Sequence, residues 1–412
     1  MIQLVSNHIN VKHITAPPSK SEAQRVLLAA ALSPSSTHIK HIGKSDDVNN
    51  MLEICRQLGA NIEHIDDDTI LIIGKFKPSK NELNVGESGL GIRLITPVVA
   101  TFNQTFFING KGSLLQRPLH QFKDFLPQMG VNVKFTNEHL PITISGQLKG
   151  GNYTVDGSLS SQYISGLLMA LPLAKTNSIL KVNSPTSTPY IDLTLDVLKA
   201  FNIKIEHQNY TTFTIKGRQN YLTQKSIYNI EGDWSGASFW IVYGLITGKI
   251  SIENLNANSL QADKAILEVV KMVGGNYNWI KNTLSITSNT LKSFNFDATH
   301  CPDLFPPLVT LAAAIKGTST IKGVNRLIYK ESNRAKVLQA EFNKLGLSIT
   351  IDNDLMTIKG TGQLKSGHTN SNNDHRIAMS LAIASVLTPQ GLKIAQPKCV
   401  NKSYPNFWNL FE

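Results

Sequence analysis

Apolar and polar positions recur along this chain in two alternating rhythms. Runs such as "THIKHI" (37–42), "QTFFING" (104–110), "SILKVN" (178–183), "GKISIENL" (248–255) and "TSTIKGV" (318–324) alternate apolar with polar residues. They are rich in β-branched side chains and predict half-buried strands. Each is followed by a stretch whose apolar residues return every three or four positions: "DDVNNMLEICRQLG", "RPLHQFKDFLPQMG", "YIDLTLDVLKAFN", "ADKAILEVVKMVGG" and "NRAKVLQAEFNKLG". These predict amphipathic helices. Each ends at Gly or Asn, residues suited to the left-handed position just past a helix. A further strand-like run follows each one: "NIEHI", "VNVKF", "IKIEH", "NYNWI", "LSITI". The sixth occurrence ends in "YPNFWNLFE", which is expected to be the beginning of a last helix.

The stop signals keep step. Gly59, Gly130, Asn202, Gly274 and Gly346 are 71, 72, 72 and 72 residues apart. A second series, at the expected starts of a more apolar set of helices, runs Lys20-Ser21, Gly89, Ser160-Ser161, Ser235, Pro302-Asp303 and Asn373-Asp374, again at steps near 70. That period exceeds a solenoid repeat, so each unit is expected to be a small αβ module built as βαβαββ, with mixed sheets covered by helices. At 412 residues the chain outgrows one core. Two α/β domains of three modules each fit both length and period. One is expected to comprise 1–14 with 230–412, the other 15–229, with the N-terminal strand completing the truncated last module. Equivalent positions of symmetric modules converge, so the second series predicts one site, in a cleft between the domains, drawn from widely separated sequence.

Composition narrows the function. With 41% hydrophobic and 17% charged residues the chain reads as an ordinary soluble protein. Its apolar runs are too short or too interrupted to span a membrane. The N-terminus has no basic segment followed by an apolar one, so a cytoplasmic location is expected. Cys55, Cys301 and Cys399 lack metal-ligand spacing and are too few for a disulfide framework. The net charge of +11 suits an anionic partner or a lysine-rich solubilising surface. The lysines are scattered and match no nucleic-acid motif, so nucleic acid is not the expected partner.

The second series carries the candidate chemistry. "PPSKSEAQR" sets Lys20 and Ser21 at a helix mouth with Arg25 one turn on. "GESGLGIR" opens a helix with Gly89 and Arg93. "GSLSSQY" offers Ser160, Ser161 and Gln162, and "NNDHR" offers Asp374, His375 and Arg376. Helix N-termini expose unpaired N–H groups and attract anions. Arg117 in "LLQRPL", Ser187 and Tyr190 in "SPTSTPYID", and Lys330, Glu331 and Arg334 in "YKESNR" stand at equivalent entries to the other helices; Lys402 lies in the tail. Eight cations (Lys20, Arg25, Arg93, Arg117, Lys330, Arg334, Arg376, Lys402) around two acids, Asp303 and Glu331, suit ligands bearing phosphates and carboxylates. Each feature also has a plainer reading: Asp374 as a helix cap, Ser160 and Ser161 as caps, Asp233 as a cap or hinge, Cys301 as a buried small side chain.

Taken together, "PPSKSEAQR", "SGLGIR", "QRPL", "SSQY", "STPYID", "CPD", "KESNR", "NDHRIAM" and "CVNKSYP" run from end to end of the chain. In that order and spacing they resemble the EPSP synthase (3-phosphoshikimate 1-carboxyvinyltransferase) family of enolpyruvyl transferases. The resemblance implies a two-domain inside-out α/β barrel. It also implies transfer of the enolpyruvyl group of phosphoenolpyruvate to the 5-hydroxyl of shikimate 3-phosphate, in the pathway to chorismate and aromatic amino acids, by a monomer needing no cofactor or metal. By the match, Lys20, Ser21, Arg25, Ser160, Ser161, Gln162, Ser187, Tyr190, Asp303 and Lys330 would hold shikimate 3-phosphate. Lys20, Gly89, Arg93, Arg117, Gln162, Arg334, Arg376 and Lys402 would hold phosphoenolpyruvate. Lys20, Asp303, Glu331 and His375 would be catalytic. Where many relatives read N-A-G-T-A-M-R, this chain reads Glu87-Ser88-Gly89-Leu90-Gly91-Ile92-Arg93. Gly89 is retained, and room beside it is expected to admit the inhibitor glyphosate. The related UDP-N-acetylglucosamine enolpyruvyl transferases fit less well: they carry Lys-Asn where Lys20-Ser21 stand and a loop cysteine as acid, and no cysteine lies between Cys55 and Cys301. A non-catalytic anion-binding relative is the remaining alternative.

Overall fold

In a computed structural model of the chain, which describes residues 1–75, 77–136 and 138–411, the alternating runs form five four-stranded sheets and one three-stranded sheet among the described residues. One sheet serves to explain the plan. Asn295–Asp297 runs parallel to Gly317–Lys322, which pairs antiparallel with Leu355–Gly360, which in turn pairs antiparallel with Ser348–Asp352. Parallel neighbours cannot be joined by a tight turn, and the helix Phe305–Ala314 supplies the crossover. The helix Arg334–Lys344 makes the second connection, and a short hairpin the third. Mixed sheets covered by helices are therefore present as the periodicity predicted. All five helix-stop residues take the left-handed conformation, with φ of 97° at Gly59, 82° at Gly130, 62° at Asn202, 87° at Gly274 and 86° at Gly346.

The chain divides into two compact units, Met1–Pro17 with Glu231–Glu412, and Pro18–Ile230. Within each, the more apolar helices are enclosed. Gly89–Val99 and His375–Ala384 are buried along their whole length, and Trp234–Thr247 is buried from Trp234 to Leu245. A helix apolar on every side belongs in a core. Close packing is visible at Gly166, where an added Cβ would lie 2.0 Å from the carbonyl oxygen of Arg93. In the other unit Thr310 and Ser380 hydroxyls meet at 2.8 Å, and Ser380 Oγ donates to the Pro306 carbonyl at 2.7 Å.

Strand pairing distant in sequence ties the chain ends into each unit. Ile227–Asn229 pairs parallel with His38–Lys40 in the 18–230 unit, while His13–Thr15 pairs parallel with Ser251–Glu253 in the other. Ile2–Val5 pairs antiparallel with Leu392–Ala395, completing the three-stranded sheet.

Two expected helices differ. "RPLHQFKDFLPQMG" is only the short helix Gln121–Phe125 with a 3₁₀ turn Pro127–Met129. Pro118 and Pro127 remove N–H donors, and Arg117, before Pro118, is pushed away from helical backbone, whereas Leu126, before Pro127, stays helical with φ −63° and ψ −38°. Arg117, extended with ψ 139°, therefore ends the 3₁₀ turn Gly112–Gln116 instead of starting a helix. The tail forms the 3₁₀ turns Pro397–Lys402 and Trp408–Phe411, not an α-helix. No described helix is long and apolar enough to cross a membrane.

Candidate active site

The starts of the buried helices are capped by side chains in, or one or two residues before, the second series. Ser19 accepts from Glu22 N–H at 3.3 Å, Ser88 from Gly91 N–H at 3.0 Å, Ser160 from Gln162 N–H at 3.3 Å, Asp233 from Ser235 N–H at 3.2 Å and Asp374 from Arg376 N–H at 3.0 Å. The cap roles of Ser160, Asp233 and Asp374 are thus realised. Capping fixes where each helix begins, and so where the next residues (Lys20, Gly89, Ser161, Ser235, His375) present themselves. The Phe305–Ala314 helix is instead preceded by the 3₁₀ turn Pro302–Leu304, which carries Asp303.

In the 18–230 unit the candidate cations are held at defined angles. Lys20 Nζ lies 3.0 Å from Asp47 Oδ2, a carboxylate buried at the first turn of the helix Asp46–Gln57. Arg25 is 1% exposed. Its guanidinium donates to Thr194 Oγ1 at 2.8 Å, the Ser21 carbonyl at 2.7 Å, Ser165 Oγ at 3.4 Å and the Tyr190 carbonyl at 3.4 Å. It ties three helix starts together, and burial lowers its pKa to about 10. Ser187, next to Tyr190, adopts a left-handed φ of 51°. Arg93 donates to the Gly89 carbonyl at 2.9 Å, Gln162 Oε1 at 3.3 Å and the Pro118 carbonyl at 3.3 Å, with Tyr163 4.8 Å beneath it. Arg93 thereby orients Gln162 and the Arg117–Pro118 turn.

At Gly89 the geometry alters the sequence reading. An added Cβ would stand 2.6 Å from Arg117 Nη1 and 2.8 Å from its Cζ. The space beside Gly89 is occupied by the Arg117 guanidinium and is not simply room for a ligand.

The second cluster lies wholly in the other unit. Arg334, 0% exposed, donates to Asp303 Oδ1 at 2.8 Å, Glu331 Oε2 at 2.7 Å and Asp374 Oδ2 at 2.9 Å. Lys330 Nζ reaches Asp303 Oδ1 at 3.3 Å, Arg376 Nη2 reaches Asp303 Oδ2 at 3.1 Å, and Lys402 Nζ lies 3.6 Å from Glu331 Oε1. Burial pushes the Asp303 carboxyl up, but Arg376, Lys330 and Arg334 outweigh it and hold it well below the usual carboxylate range. Burial lowers the Lys330 ammonium below its ordinary value despite Asp303. His375 is 1% exposed, with Nδ1 3.9 Å from Asp374 Oδ1.

Three carboxylates, Asp47, Asp263 and Glu87, escaped the reading of the sequence as site residues, and Asp374 does more than the cap weighed for it. Asp47 holds Lys20. Asp374, besides capping, is a principal anchor of Arg334. Asp263, fully buried, accepts from the Ser235 hydroxyl, and burial, then Asp303, raise it to about 6. Glu87 lies against Gly112 and Ser113. The only available signal was an acid at or near a helix entry, which is also where caps occur. Among the described residues no group of three His, Cys, Asp or Glu is arranged to hold a metal ion.

Comparison with known proteins gives a consistent answer. A sequence model of the family "EPSP synthase (3-phosphoshikimate 1-carboxyvinyltransferase)" matches residues 8–411. A 3-phosphoshikimate 1-carboxyvinyltransferase of Clostridium novyi is 35% identical over 422 residues, covering 100% of this chain and 96% of its own length. One from Clostridium perfringens is 38% identical over 407 residues, covering 97% and 95%. Among solved structures, EPSP synthase from Acinetobacter baumannii aligns with a TM-score of 0.82 at 24% identity, covering 99% of this chain and 97% of that one. The enolpyruvyl transferase NikO from Streptomyces tendae aligns at 0.79 and 16%, covering 100% and 96%. At those identities the structural matches speak to fold alone.

Proposed function

The chain belongs to the EPSP synthase family, and from that premise we propose how its residues move the carboxyvinyl group of phosphoenolpyruvate to the 5-hydroxyl of shikimate 3-phosphate, releasing phosphate. The observation that carries the assignment is the pair Asp303 and Glu331, which share one guanidinium, Arg334, at 2.8 and 2.7 Å. Two carboxyls held apart on one rigid fork can face two different atoms of a reacting pair.

In this reading both clusters act on one pair of ligands. Ser160, Ser161, Gln162, Ser187, Tyr190, Ser21 and Arg25 hold shikimate 3-phosphate, with Lys330 and Asp303. Arg117, Arg334, Arg376, Lys402 and Lys20 hold phosphoenolpyruvate, with Gly89 and Gln162 beside it; Arg93 sets the Arg117 turn and orients Gln162. Glu331 gives a proton to C3, the C2–C3 double bond supplies the electron pair, and C2 becomes cation-like. The 5-hydroxyl oxygen then bonds to C2 while its proton passes to Asp303. In the second step the C2–O bond to phosphate breaks, C3 returns a proton to Glu331, and the double bond re-forms. Phosphate leaves with the proton that Asp303 held.

A carboxylate held far below its usual range is a weak base. Anionic ligands on Arg376 and Lys330 draw those cations away from Asp303 and raise its basicity when substrate is present. Lys20, restrained by Asp47, stabilises charge at the reacting centre, and His375 supports the start of the helix carrying Arg376. The chain acts as a monomer in the cytoplasm and takes no nucleic acid.

The test is phosphate release by the purified protein. With phosphoenolpyruvate, shikimate 3-phosphate gives turnover and UDP-N-acetylglucosamine does not. Absence of release with shikimate 3-phosphate refutes the reading, and sedimentation analysis checks the monomer.

A further inference from the structure

Glu87 plays no part in the chemistry above, yet it sits where two loops of the 18–230 unit are fastened together. One loop, Val85 to Gly89, ends in the helix start beside which Arg117 lies. The other, Gly110 to Arg117, carries that arginine. Their backbones are joined by Lys111 N–H donating to the Gly86 carbonyl at 2.7 Å. The second fastening is the Glu87 side chain. Ser113 Oγ donates to Glu87 Oε2 at 3.3 Å. The carboxyl also fills the place a side chain would take at Gly112, where an added Cβ would be 2.1 Å from Glu87 Oε1 and 2.3 Å from Cδ. Gly112 has φ 52°, a left-handed conformation that glycine adopts without strain. The glycine thus lets the turn bend and leaves a notch into which the carboxyl fits.

We propose that Glu87 is a positioning residue: by docking in the Gly112–Ser113 notch it sets the 3₁₀ turn Gly112–Gln116 and so the distance of the Arg117 guanidinium from Gly89. It acts through Arg117 and touches no reacting atom. This rests on the assignment of Arg117 and Gly89 to phosphoenolpyruvate. Its consequence is selective: Glu87 governs capture of the phosphoenolpyruvate side of the reaction and leaves the phosphoshikimate side alone. The Ser113 hydroxyl donates here, and an uncharged acceptor oxygen at position 87 also meets it.

Glu87→Ala and Glu87→Gln separate these ideas. The alanine variant loses both the hydrogen bond and the filling of the notch, and raises KM for phosphoenolpyruvate about tenfold. Its kcat and its KM for shikimate 3-phosphate stay within about twofold. The glutamine variant still offers an acceptor oxygen and recovers most of the loss. A role in overall stability alone would not split the two KM values. An unchanged KM for phosphoenolpyruvate in the alanine variant, or equal rises in both constants, overturns the proposal. Amide hydrogen exchange of residues 110–117 in the ligand-free protein gives a readout independent of activity. It speeds up at least about fivefold in Glu87→Ala but not in Glu87→Gln. Unchanged exchange refutes the tether even if the proposed reaction were wrong. Fast exchange in an alanine variant of a protein that does not turn over these substrates would leave the tether standing and sink only the functional reading.

Discussion

Replacing Arg334 by leucine tests the electrostatic core of the second cluster. The side chain is fully buried and bonds Asp303, Glu331 and Asp374 at 2.8, 2.7 and 2.9 Å. Leucine fills much of the volume but leaves three carboxylates without the cation they share. Removing one member of a buried ion pair typically costs about 3–5 kcal/mol. For a unit of this size that is a fall in Tm of about 6–20 °C. The pH dependence has a definite sign. The folded-state pKa of Asp303 lies well below its ordinary 3.8. Its stabilising contribution is therefore present above that value and lost as pH falls through the lower folded one. Without Arg334 the Asp303 carboxylate binds its proton at higher pH. The deficit of Arg334→Leu relative to the parent is thus widest near neutrality and narrows as pH falls toward 3.8. Thermal unfolding of both proteins at matched pH values measures this. Arg334→Lys keeps the charge without the planar fork and recovers only part of the loss. A deficit below about 1 kcal/mol at neutral pH, or one that grows in acid, would show that the cluster is not held by this guanidinium.

Glu331→Gln lowers kcat by about 10²–10⁴-fold while calorimetry still detects shikimate 3-phosphate; near-normal turnover removes Glu331 from the proton step. In Gly89→Ala the new methyl must displace Arg117, whose guanidinium is the flexible end of a side chain and can retreat. Tm changes little while KM for phosphoenolpyruvate rises about tenfold, and a rise in the phosphoshikimate constant instead would contradict that placement of Arg117. Asp263 has its pKa raised from 3.8 to about 6, mainly by burial and by Asp303. A raised carboxyl stabilises the fold below its ordinary value and loses that contribution as pH climbs to about 6. Asp263→Asn removes this loss, so urea midpoints of parent and variant diverge in the variant's favour as pH rises through that window; parallel curves refute the burial of a titrating group there.

What the sequence disclosed, and what it hid, follow from how far each signal reaches. The helix stops at Gly59, Gly130, Asn202, Gly274 and Gly346 were legible because a left-handed residue after an apolar rhythm is a local demand of the backbone. The starts were legible through Ser160 and Asp374, whose side chains satisfy nearby N–H groups. Mixed α/β architecture followed from those two. The turn at Arg117 was misread because the apolar rhythm of 117–130 outweighed Pro118 and Pro127 in the reading, whereas in the chain the lost donors decide. Residues 1–14 were expected to lend a strand to the 230–412 domain, but strands of three residues, such as His13–Thr15 and Ile227–Asn229, are too short to carry a pattern, so their particular partners were not legible. Asp374 was seen as a cap, but its second partner lies 40 residues away. Asp263, 28 residues from Ser235, gave no local signal of its surroundings, and neither did Glu87 in its notch at Gly112.

These long-range strand pairings have a consequence for how the polypeptide is made. Residues 18–230 contain every strand of their three sheets in one continuous stretch, so this half has all its pairing partners once synthesis reaches Asn229. The other half cannot assemble in that order. Its opening residues, Ile2–Val5, pair with Leu392–Ala395, and His13–Thr15 with Ser251–Glu253. Both segments must wait for partners made hundreds of residues later, pairings of very long range that form slowly. A fragment begun at Glu231 would lack both of those strands and leave two sheet edges bare, whereas one cut from Pro18 to Ile230 would lose none.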